Sequence, residues 1–332
     1  MPPRHWLSRS HPLAVLLRPI AWVFGVLRAA REKLYNWGIF KTHRLPVPVI
    51  VIGNVVAGGV GKTPVVIELV QRLQHMGYRP GVVSRGYGRQ KSDCHVVTAT
   101  STCSDAGDEP LLIAHACQAP VAVASSRVEA AEALLRAYPE CNVLVSDDGL
   151  QHLAMARDIE IVIFDERGIG NNWLLPAGPL REPWPRKPRC RAHLVLNHVP
   201  KSLAAYALDE NGQQYALSSL ATQTLYALAG IAKPDSFFTM LRAQGLQLAD
   251  CHAYPDHANF ALPKIAQKLA RQLAASPNAI WLCTQKDAVK LWPFFPNDSH
   301  RILAIPLVLD LDMTFLSVFD VSVQSLMQTS HS

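Results

Sequence analysis

The sequence lacks the cysteine spacing of a zinc site or of a disulfide framework. Its seven cysteines are scattered, odd in number, and never form a C-x-x-C pair. Internal repeats and low-complexity tracts are also missing, which excludes solenoid, fibrous and largely disordered classes. These absences favour an ordinary globular protein of a reducing compartment, and the cytoplasm fits best.

A net excess of positive charge is missing outside the N-terminus. The net charge is +6, and residues 1–45 hold eight Lys or Arg residues against Glu32 alone, so the rest of the chain is nearly neutral. Because the basicity does not spread over a folded surface, we expect no nucleic-acid partner. The length of 332 residues and the apolar fraction of 49% predict two globular domains.

No apolar run at the N-terminus reaches the roughly 20 residues that a membrane-spanning helix needs. The run over residues 12–27 contains Arg18 and Pro19, and basic residues follow it. We interpret residues 1–40 as a helical segment that lies on a membrane, with its apolar side in the acyl boundary and its cations near anionic lipid. A cleaved signal peptide and a helix buried against the protein's own core are the alternatives.

The stretch VIGNVVAGGVGKTPVV, residues 51–66, resembles a phosphate-binding loop in which Val56 replaces the first glycine of G-x-x-x-x-G-K-[ST]. A β-branched run precedes it and a helical pattern follows it, so the loop joins a buried strand to a helix N-terminus. We expect Lys62 to reach the β- and γ-phosphates of ATP and Thr63 to bind Mg²⁺. The loop residues expected to surround the phosphates are Gly58, Gly59, Val60 and Gly61.

A second site element lies in CNVLVSDDGLQH, residues 141–152. An apolar strand ends there in Asp147 and Asp148, and a carboxylate at a strand end is what a P-loop fold uses to hold Mg²⁺ or its water. An exposed turn is the alternative, because Asp-Gly is also common in turns.

Further apolar runs alternate with helical patterns such as residues 127–137. This alternation predicts a P-loop NTPase-like α/β fold, with a mostly parallel sheet and helices on both faces. We place the nucleotide-binding domain at residues 41–220 and a smaller α/β domain at residues 221–332. Ligands of such sheets bind at the carboxyl ends of the strands, where Arg85 and Asp147 are expected.

Eight ordered segments give the sequence a specific resemblance to the lipid A 4'-kinase (tetraacyldisaccharide 4'-kinase) family. The segments are VPVIVIGNVVAGGVGKTPVV, GVVSRGYGR, GDEP, SDDGLQH, LLPAGPLRE, LAGIAKPDSFF, PDH and TQKDAVK. The resemblance covers nearly the whole chain. This family also has a hydrophobic N-terminal helix and a glycine loop without the first glycine, so Val56 is a family trait.

The resemblance implies transfer of the γ-phosphate of ATP, with Mg²⁺, to the 4'-hydroxyl of a tetraacylated glucosamine disaccharide 1-phosphate. This lipid would be met at the cytoplasmic face of the inner membrane, by a protein expected to be a monomer. Asp108 would act as the base on the sugar hydroxyl, oriented by His257, with Glu109 and Asp148 near the metal. The remaining residues implied at the metal or substrate end are Asp147, Gln151, His152, Arg181 and Glu182.

Some assignments stay open. Arg85, with Tyr87 and Arg89, could bind anionic groups of the substrate or form a solvated edge. Gln285 replaces the glutamate of the family's T-E-K-D segment, and the adjoining Lys286 and Asp287 could simply cap a helix.

Two other functions remain as alternatives. A GTPase would carry N-K-x-D or T-K-x-D after a strand, but residues 284–287 read T-x-K-D, which disfavours guanine. A membrane-associated P-loop ATPase without a lipid acceptor would not need Asp108. Because Asp108 and His257 fall in different expected domains, we also expect the domains to close over ATP.

Overall fold

A computed structural model describes residues 3–59, 61–260 and 262–329. The helices, in chain order, are α1 (Pro12–Leu16), α2 (Arg18–Asn36), α3 (Lys62–His75), α4 (Cys103–Ala106), α5 (Asp108–Cys117), α6 (Arg127–Ala137), α7 (Leu217–Leu220), α8 (Pro234–Ala243), α9 (Pro263–Ala275), α10 (Gln285–Leu291) and α11 (Met313–Thr329). The strands are β1 (Val49–Gly53), β2 (Pro80–Ser84), β3 (His95–Val96), β4 (Val121–Val123), β5 (Val143–Asp147), β6 (Ile159–Phe164), β7 (Ala192–Asn197), β8 (Lys201–Leu203), β9 (Tyr206–Leu208), β10 (Gln214–Ala216), β11 (Leu225–Ala229), β12 (Leu248–Ala253), β13 (Ile280–Thr284), β14 (Ile302–Ile305) and β15 (Leu307–Leu309).

The first sheet has seven strands in the order β3-β4-β2-β5-β1-β6-β7. Every pairing is parallel except that of β3 with β4. Helices α3, α5 and α11 pack on one face and α6 on the other, so β1 and β5 are buried along their whole length. Burial on both faces explains the continuous β-branched run of β1 and the apolar start of β5. The expectation of a mostly parallel sheet with helices on both faces is confirmed.

The second sheet has six strands in the order β10-β9-β14-β13-β11-β12. Its four strands β14, β13, β11 and β12 are parallel, and the hairpin of β9 and β10 joins the β14 edge in the antiparallel sense. Helices α7 and α8 cover one face, while α9 and α10 cover the other. The expected smaller α/β domain is therefore present.

The structure divides the chain differently from the expected boundary at residue 220. Strands β9 and β10 lie before that boundary but belong to the second sheet. Helix α11 lies at the end of the chain but packs in the core of the first sheet, where Phe319 is fully buried and Asp320 accepts a hydrogen bond of 2.6 Å from Arg72. Strands β8 and β15 pair with each other between the two sheets. The first domain thus includes α11 from the end of the chain, because the apolar stripe of this helix is buried against the first sheet.

The N-terminal segment, residues 3–40, forms two helices in place of the single one expected. Pro19 lies in the first turn of α2, where a missing N–H costs little, and the chain bends at Leu17 between the helices. No helix in the described part of the chain is both long and apolar enough to cross a membrane. The large apolar side chains of the segment are mostly exposed, which does not fit a helix buried in the core. They include Leu7, Leu13, Val15, Leu16, Ile20, Trp22, Val23, Val26, Leu27, Trp37, Ile39 and Phe40.

Candidate active site

The glycine loop between β1 and α3 is organised by Asn54. This side chain is fully buried, and its Nδ2 donates to the carbonyl oxygens of Val56 at 2.5 Å and Gly58 at 3.4 Å. Val56, at the position of the usual first glycine, is buried in the apolar cluster that also contains Leu150 and Leu180. The substitution therefore supplies packing beneath the loop.

Lys62 and Thr63 begin α3 directly after the loop. Gly61 precedes them with φ at +73°, a left-handed conformation that glycine adopts without steric cost. Lys62 Nζ lies 3.4 Å from Asp148 Oδ1 and 3.5 Å from Asn54 Oδ1. The side chain of Thr63 is buried. The helix N-terminus, its lysine and a hydroxyl are thus together, as expected, whereas Val60 lies outside the described residues.

Asp147 ends β5 and Asp148 follows it, but the two side chains experience different electrostatic environments. Burial, with the charge of Glu109 adding to it, raises the pKa of Asp147 to about 6. Burial also acts on Asp148, yet Lys62 and Arg181 outweigh it and hold the pKa of that carboxyl below its usual value. Asp148 has φ at +46° and contacts Arg181 at 3.2 Å. The two aspartates are therefore not equivalent, a distinction that the sequence left open.

Asp147 is the carboxylate with an unused acceptor. Its Oδ2 accepts a hydrogen bond of 3.0 Å from the Ser84 hydroxyl, whereas its buried Oδ1 has no hydrogen-bond partner among the described residues. Across residues 3–59, 61–260 and 262–329, no three His, Cys, Asp or Glu side chains form a metal-binding cluster. Mg²⁺ commonly takes one or two carboxylates, with water and substrate phosphates as the other ligands. The residues present fit that mode of binding, with Asp147 as the stronger candidate.

Asp108 and His257 come together although 149 residues separate them. His257 Nδ1 lies 3.3 Å from Asp108 Oδ2, and His257 Nε2 lies 3.3 Å from Lys286 Nζ. An ammonium group can only donate, so Nε2 is the acceptor and the proton of a neutral imidazole is on Nδ1. The Nδ1–H group therefore donates to Asp108. This is the geometry of a carboxylate oriented by a histidine.

Tight contacts between glycines position Asp108 at the N-terminus of α5. A Cβ atom on Gly107 would lie 2.8 Å from the carbonyl oxygen of Tyr87, and one on Gly86 would lie 2.6 Å from that of Ala106. The loop after β2 therefore packs directly against the start of α5. The Tyr87 ring meets the His257 ring edge-on at 5.8 Å. The loop that carries Arg85 thus adjoins the Asp108–His257 pair.

Gln151, Arg181 and Glu182 form one hydrogen-bonded group with Asp148. Gln151 Nε2 donates to Glu182 Oε1 at 2.7 Å and to the Asn54 carbonyl oxygen at 3.1 Å. Arg181 contacts Asp148 and lies 3.4 Å from Gln151 Oε1. Glu182 is buried, so its interactions are internal. Of these residues, half-buried Arg181 is the one best placed to meet an anionic ligand.

His152 and Arg85 remain outside these contacts. Burial and then the charges of Arg127 and Arg157 lower the pKa of His152 to about 4, so its imidazole is neutral at physiological pH. Arg85 follows β2 and is exposed. The structure places both at the expected sheet edge without assigning them a partner in the site.

Three arginines at the site lie in no recognisable sequence motif, so sequence reasoning missed them. Arg127 donates to the carbonyl oxygens of both Asp147 and Asp148, at 3.3 and 3.2 Å. Arg157 is buried and donates to the carbonyl oxygens of residues 150, 152 and 155. Arg167 donates to the Gly59 carbonyl oxygen at 3.0 Å. Each binds backbone of a site loop, a role that depends on tertiary contacts.

The TQKD segment forms a helix cap. Thr284 precedes α10 and accepts from the Asp287 amide at 3.2 Å, while the fully buried Asp287 accepts from the Gly230 amide at 2.9 Å. The capping alternative therefore holds for Asp287. Lys286 differs, because it contacts both His257 and Asp256.

Fold and site together define a mostly parallel α/β protein with a glycine loop, a helix-opening lysine and several carboxylates at the carboxyl edge of its first sheet. Comparison with known sequences goes further. The sequence model of the tetraacyldisaccharide-1-P 4'-kinase family matches residues 13–324, so the chain belongs to that family.

Individual relatives agree. The chain is 47% identical over 338 residues to the tetraacyldisaccharide 4'-kinase of Acidovorax sp. (strain JS42), covering 98% of this chain and 95% of that protein. It is 42% identical to the tetraacyldisaccharide 4'-kinase of Delftia acidovorans, covering 97% and 94%. The crystal structure of LpxK from Aquifex aeolicus in complex with ATP superposes with a TM-score of 0.78 at 24% identity, covering 95% of this chain and 99% of that one. The last comparison confirms the fold.

Proposed function

We propose that this protein transfers the γ-phosphate of ATP to the 4'-hydroxyl of a tetraacylated glucosamine disaccharide 1-phosphate. Family membership supports this reaction and its substrates. The observation that carries it is the Asp108–His257 pair, which adjoins the loop after β2 at the sheet edge where the glycine loop also begins. Nucleotide binding alone requires no such pair.

ATP is the phosphate donor in this proposal. Backbone N–H groups at the start of α3 and the loop glycines bind its phosphates, and the helix dipole favours their charge. Lys62 contacts the terminal phosphates and exchanges its ion pair with Asp148 for them. Arg167 and Lys201 add positive charge at the rim, since Arg167 binds the Gly59 carbonyl and the Lys201 ammonium packs against Gly61.

Mg²⁺ would be held by Asp147 and Thr63, with Glu109 and Asp148 nearby. Bound there, the ion would neutralise charge on the phosphates. The raised pKa of Asp147 supports this role, because a buried carboxylate that is costly to ionise alone is stabilised in its charged form by a cation.

Asp108 is the base in the proposed reaction. A sugar hydroxyl has a pKa far above 7, so a carboxylate takes its proton only as the new O–P bond forms. The Nδ1–H of His257 orients that carboxylate, and Lys286 fixes the tautomer through Nε2. The proton of the 4'-hydroxyl moves to Asp108, and ADP leaves.

The acceptor reaches the site from a membrane surface. The N-terminal segment packs against the loop of residues 165–191, where Trp6 Nε1 donates to the Pro176 carbonyl oxygen at 3.1 Å and Arg18 lies 4.9 Å from the centre of the Trp173 ring. Arg181 and Glu182 belong to the same loop. A segment resting on the cytoplasmic face of the inner membrane would therefore place the substrate end of the site beside the lipid headgroups, with a monomer sufficient for the reaction.

The acceptor's anionic groups have candidate partners. Arg85 is exposed on the loop whose Tyr87 ring meets His257, and Arg181 is half-exposed beside Asp148. Gln151 and Glu182 shape this end of the site, because their hydrogen bond holds the two loops together. We assign the substrate's charged groups to the arginines and the loop geometry to Gln151 and Glu182, while His152 serves the substrate end as a neutral imidazole.

The test is a transfer assay with purified protein, γ-labelled ATP, Mg²⁺ and the acylated disaccharide 1-phosphate in mixed micelles. The proposal predicts that label is extracted with the lipid phase. If label appears only as inorganic phosphate, at a rate that the lipid does not change, the protein is the alternative ATPase without a lipid acceptor.

A further inference from the structure

Lys290 on α10 is a buried cation at the Asp108–His257 pair. Only 4% of the residue is exposed. Its Nζ lies 3.3 Å from Asp108 Oδ2, 3.2 Å from Asp287 Oδ1 and 3.3 Å from the Ala258 carbonyl oxygen. The ammonium also lies 5.3 Å from the centre of the Phe260 ring. One charge from the second domain therefore reaches the proposed base of the first.

The position of this ammonium is fixed from the second domain. Asp287 is fully buried and is itself held by the Gly230 amide at 2.9 Å and by the Thr284 hydroxyl at 2.7 Å. A cation removed from water needs compensating partners, and Lys290 has a carboxylate and a carbonyl oxygen within its own domain. Its contact with Asp108 is additional to that local set. The local set therefore holds Lys290 ready for a carboxylate from the other domain.

Both cross-domain contacts of Asp108 use the same oxygen. Oδ2 receives the Nδ1–H of His257 and lies beside Lys290 Nζ, each at 3.3 Å. The neighbouring thiol of Cys103 adds no charge, because burial and the charge of Asp108 raise its pKa to about 12. The other charged groups nearby are Asp287, Lys286 and Glu109. Fixing Oδ2 turns Oδ1 into the oxygen available for a hydroxyl.

We propose that Lys290 is a positioning residue for the kinase reaction, which holds Asp108 Oδ2 in place when the two domains meet. This inference rests on the proposed role of Asp108 as the base. A solely structural role, in which Lys290 merely neutralises buried Asp287, is the competing explanation. The two differ in one respect, since only the positioning role makes kcat of a folded protein depend on the contact between Lys290 and Asp108.

The experiment compares kcat and the Kd for ATP in Lys290→Met, Lys290→Arg and the parent protein, with Lys264→Met on the exposed face of α9 as the matched control. A catalytic group displaced by about 1 Å can cost about 100-fold in rate. We therefore expect kcat of Lys290→Met to fall at least about tenfold while the Kd for ATP stays the same. Lys290→Arg keeps the charge and should restore most of kcat, and the control should keep the parent value.

A second variant separates loss of folding from loss of positioning. Lys290→Met leaves Asp287 buried without its cation, so the double variant Lys290→Met/Asp287→Asn removes that charge as well. The folded double variant should still have the lowered kcat. A parent-level kcat in either folded Lys290→Met variant overturns the proposal in favour of the structural role. If Asp108→Ala keeps its activity, the base assignment fails instead, so the two failures are distinguishable.

Discussion

His257 Nδ1 and Asp108 Oδ2 lie 3.3 Å apart, with one residue in each of the two α/β domains. Helix α5 begins at Asp108 and contacts helix α10 of the second domain, and this contact brings the pair together. The proposed base and its orienting group are therefore complete only when the domains are in contact. This arrangement suits a reaction that must exclude water between ATP and a sugar hydroxyl.

His257→Asn removes the imidazole but retains a residue that tolerates the left-handed backbone seen here, with φ at +57°. We expect kcat to fall about tenfold or more because Asp108 loses its orienting donor, while the Kd for ATP stays the same. Steady-state kinetics and calorimetric ATP titration check this. His75→Asn on the exposed end of α3 serves as the control, and an equal loss in ATP affinity would argue against an orienting role.

Gly61→Ala tests the glycine loop against a matched glycine. Gly61 and Gly77 both have positive φ, +73° and +84°, so alanine costs each about 1–2 kcal/mol of backbone strain. A Cβ on Gly61 would also clash with the Lys201 ammonium, whereas one on Gly77 meets nothing within 4 Å. We expect both variants to lose comparable stability, but only Gly61→Ala to bind ATP at least tenfold more weakly. Similar ATP affinities in the two variants would contradict the loop assignment.

The contributions of Asp147 and Asp148 to stability should respond oppositely to pH. The pKa of Asp147 is raised from 3.8 to about 6, so the folded state binds more protons than the unfolded chain between those values, and stability falls as pH rises through this window. Asp147→Asn should therefore raise the free energy of unfolding at pH 7, by on the order of 2 kcal/mol, with little effect at pH 4.

Asp148→Asn should change the free energy of unfolding in the opposite direction. The folded-state pKa of Asp148 is lowered, so its charged form stabilises the protein above the usual pKa and that contribution disappears as pH falls through the folded-state value. Replacing it should lower stability at pH 7 through loss of the Lys62 and Arg181 pairs. Denaturant unfolding at both pH values measures the two effects, and equal signs would refute the assigned environments.

The exposed apolar side chains of the N-terminal segment should determine membrane binding. The triple variant Leu16→Gln/Trp22→Gln/Leu27→Gln removes side chains that are 73%, 71% and 65% exposed. Each large apolar group contributes about 1.5–3 kcal/mol when buried, so binding to anionic vesicles should fall at least tenfold. Val318→Gln/Val321→Gln on the exposed face of α11 is the control. Unchanged sedimentation of the triple variant with vesicles would point to another anchor.

The central strands could be predicted because their sequences depend on local burial. β1, β5 and β6 are buried along their whole length, and continuous β-branched runs are what such positions require. Helix α3 was predictable for a similar reason, since its buried stripe recurs at helical spacing.

The domain boundary was not predictable in the same way. The apolar stripe of α11 indicates burial but not which sheet covers it, and the answer depends on contacts such as Arg72 with Asp320. The edge hairpin of β9 and β10 is short and half-exposed, so its sequence has little periodicity to read.

The same distinction between local sequence and distant contacts applies to the candidate site. The glycine loop and Asp147 could be placed from local sequence, because each follows a recognisable strand. The pairing of Asp108 with His257 was expected only through the family resemblance, and Lys290 carried no local signal at all. The spacing of residues along the chain does not reveal contacts between distant segments.

The most direct test measures transfer and ATP affinity together in Asp108→Ala. General-base catalysis contributes about 100-fold to 10,000-fold to rate, so label transfer to the acylated disaccharide should fall by at least about 100-fold. The Kd for ATP should stay within about twofold of the parent value, because Asp108 contacts His257 and Lys290 and lies off the glycine loop. Transfer at the parent rate by a folded Asp108→Ala protein would contradict the account.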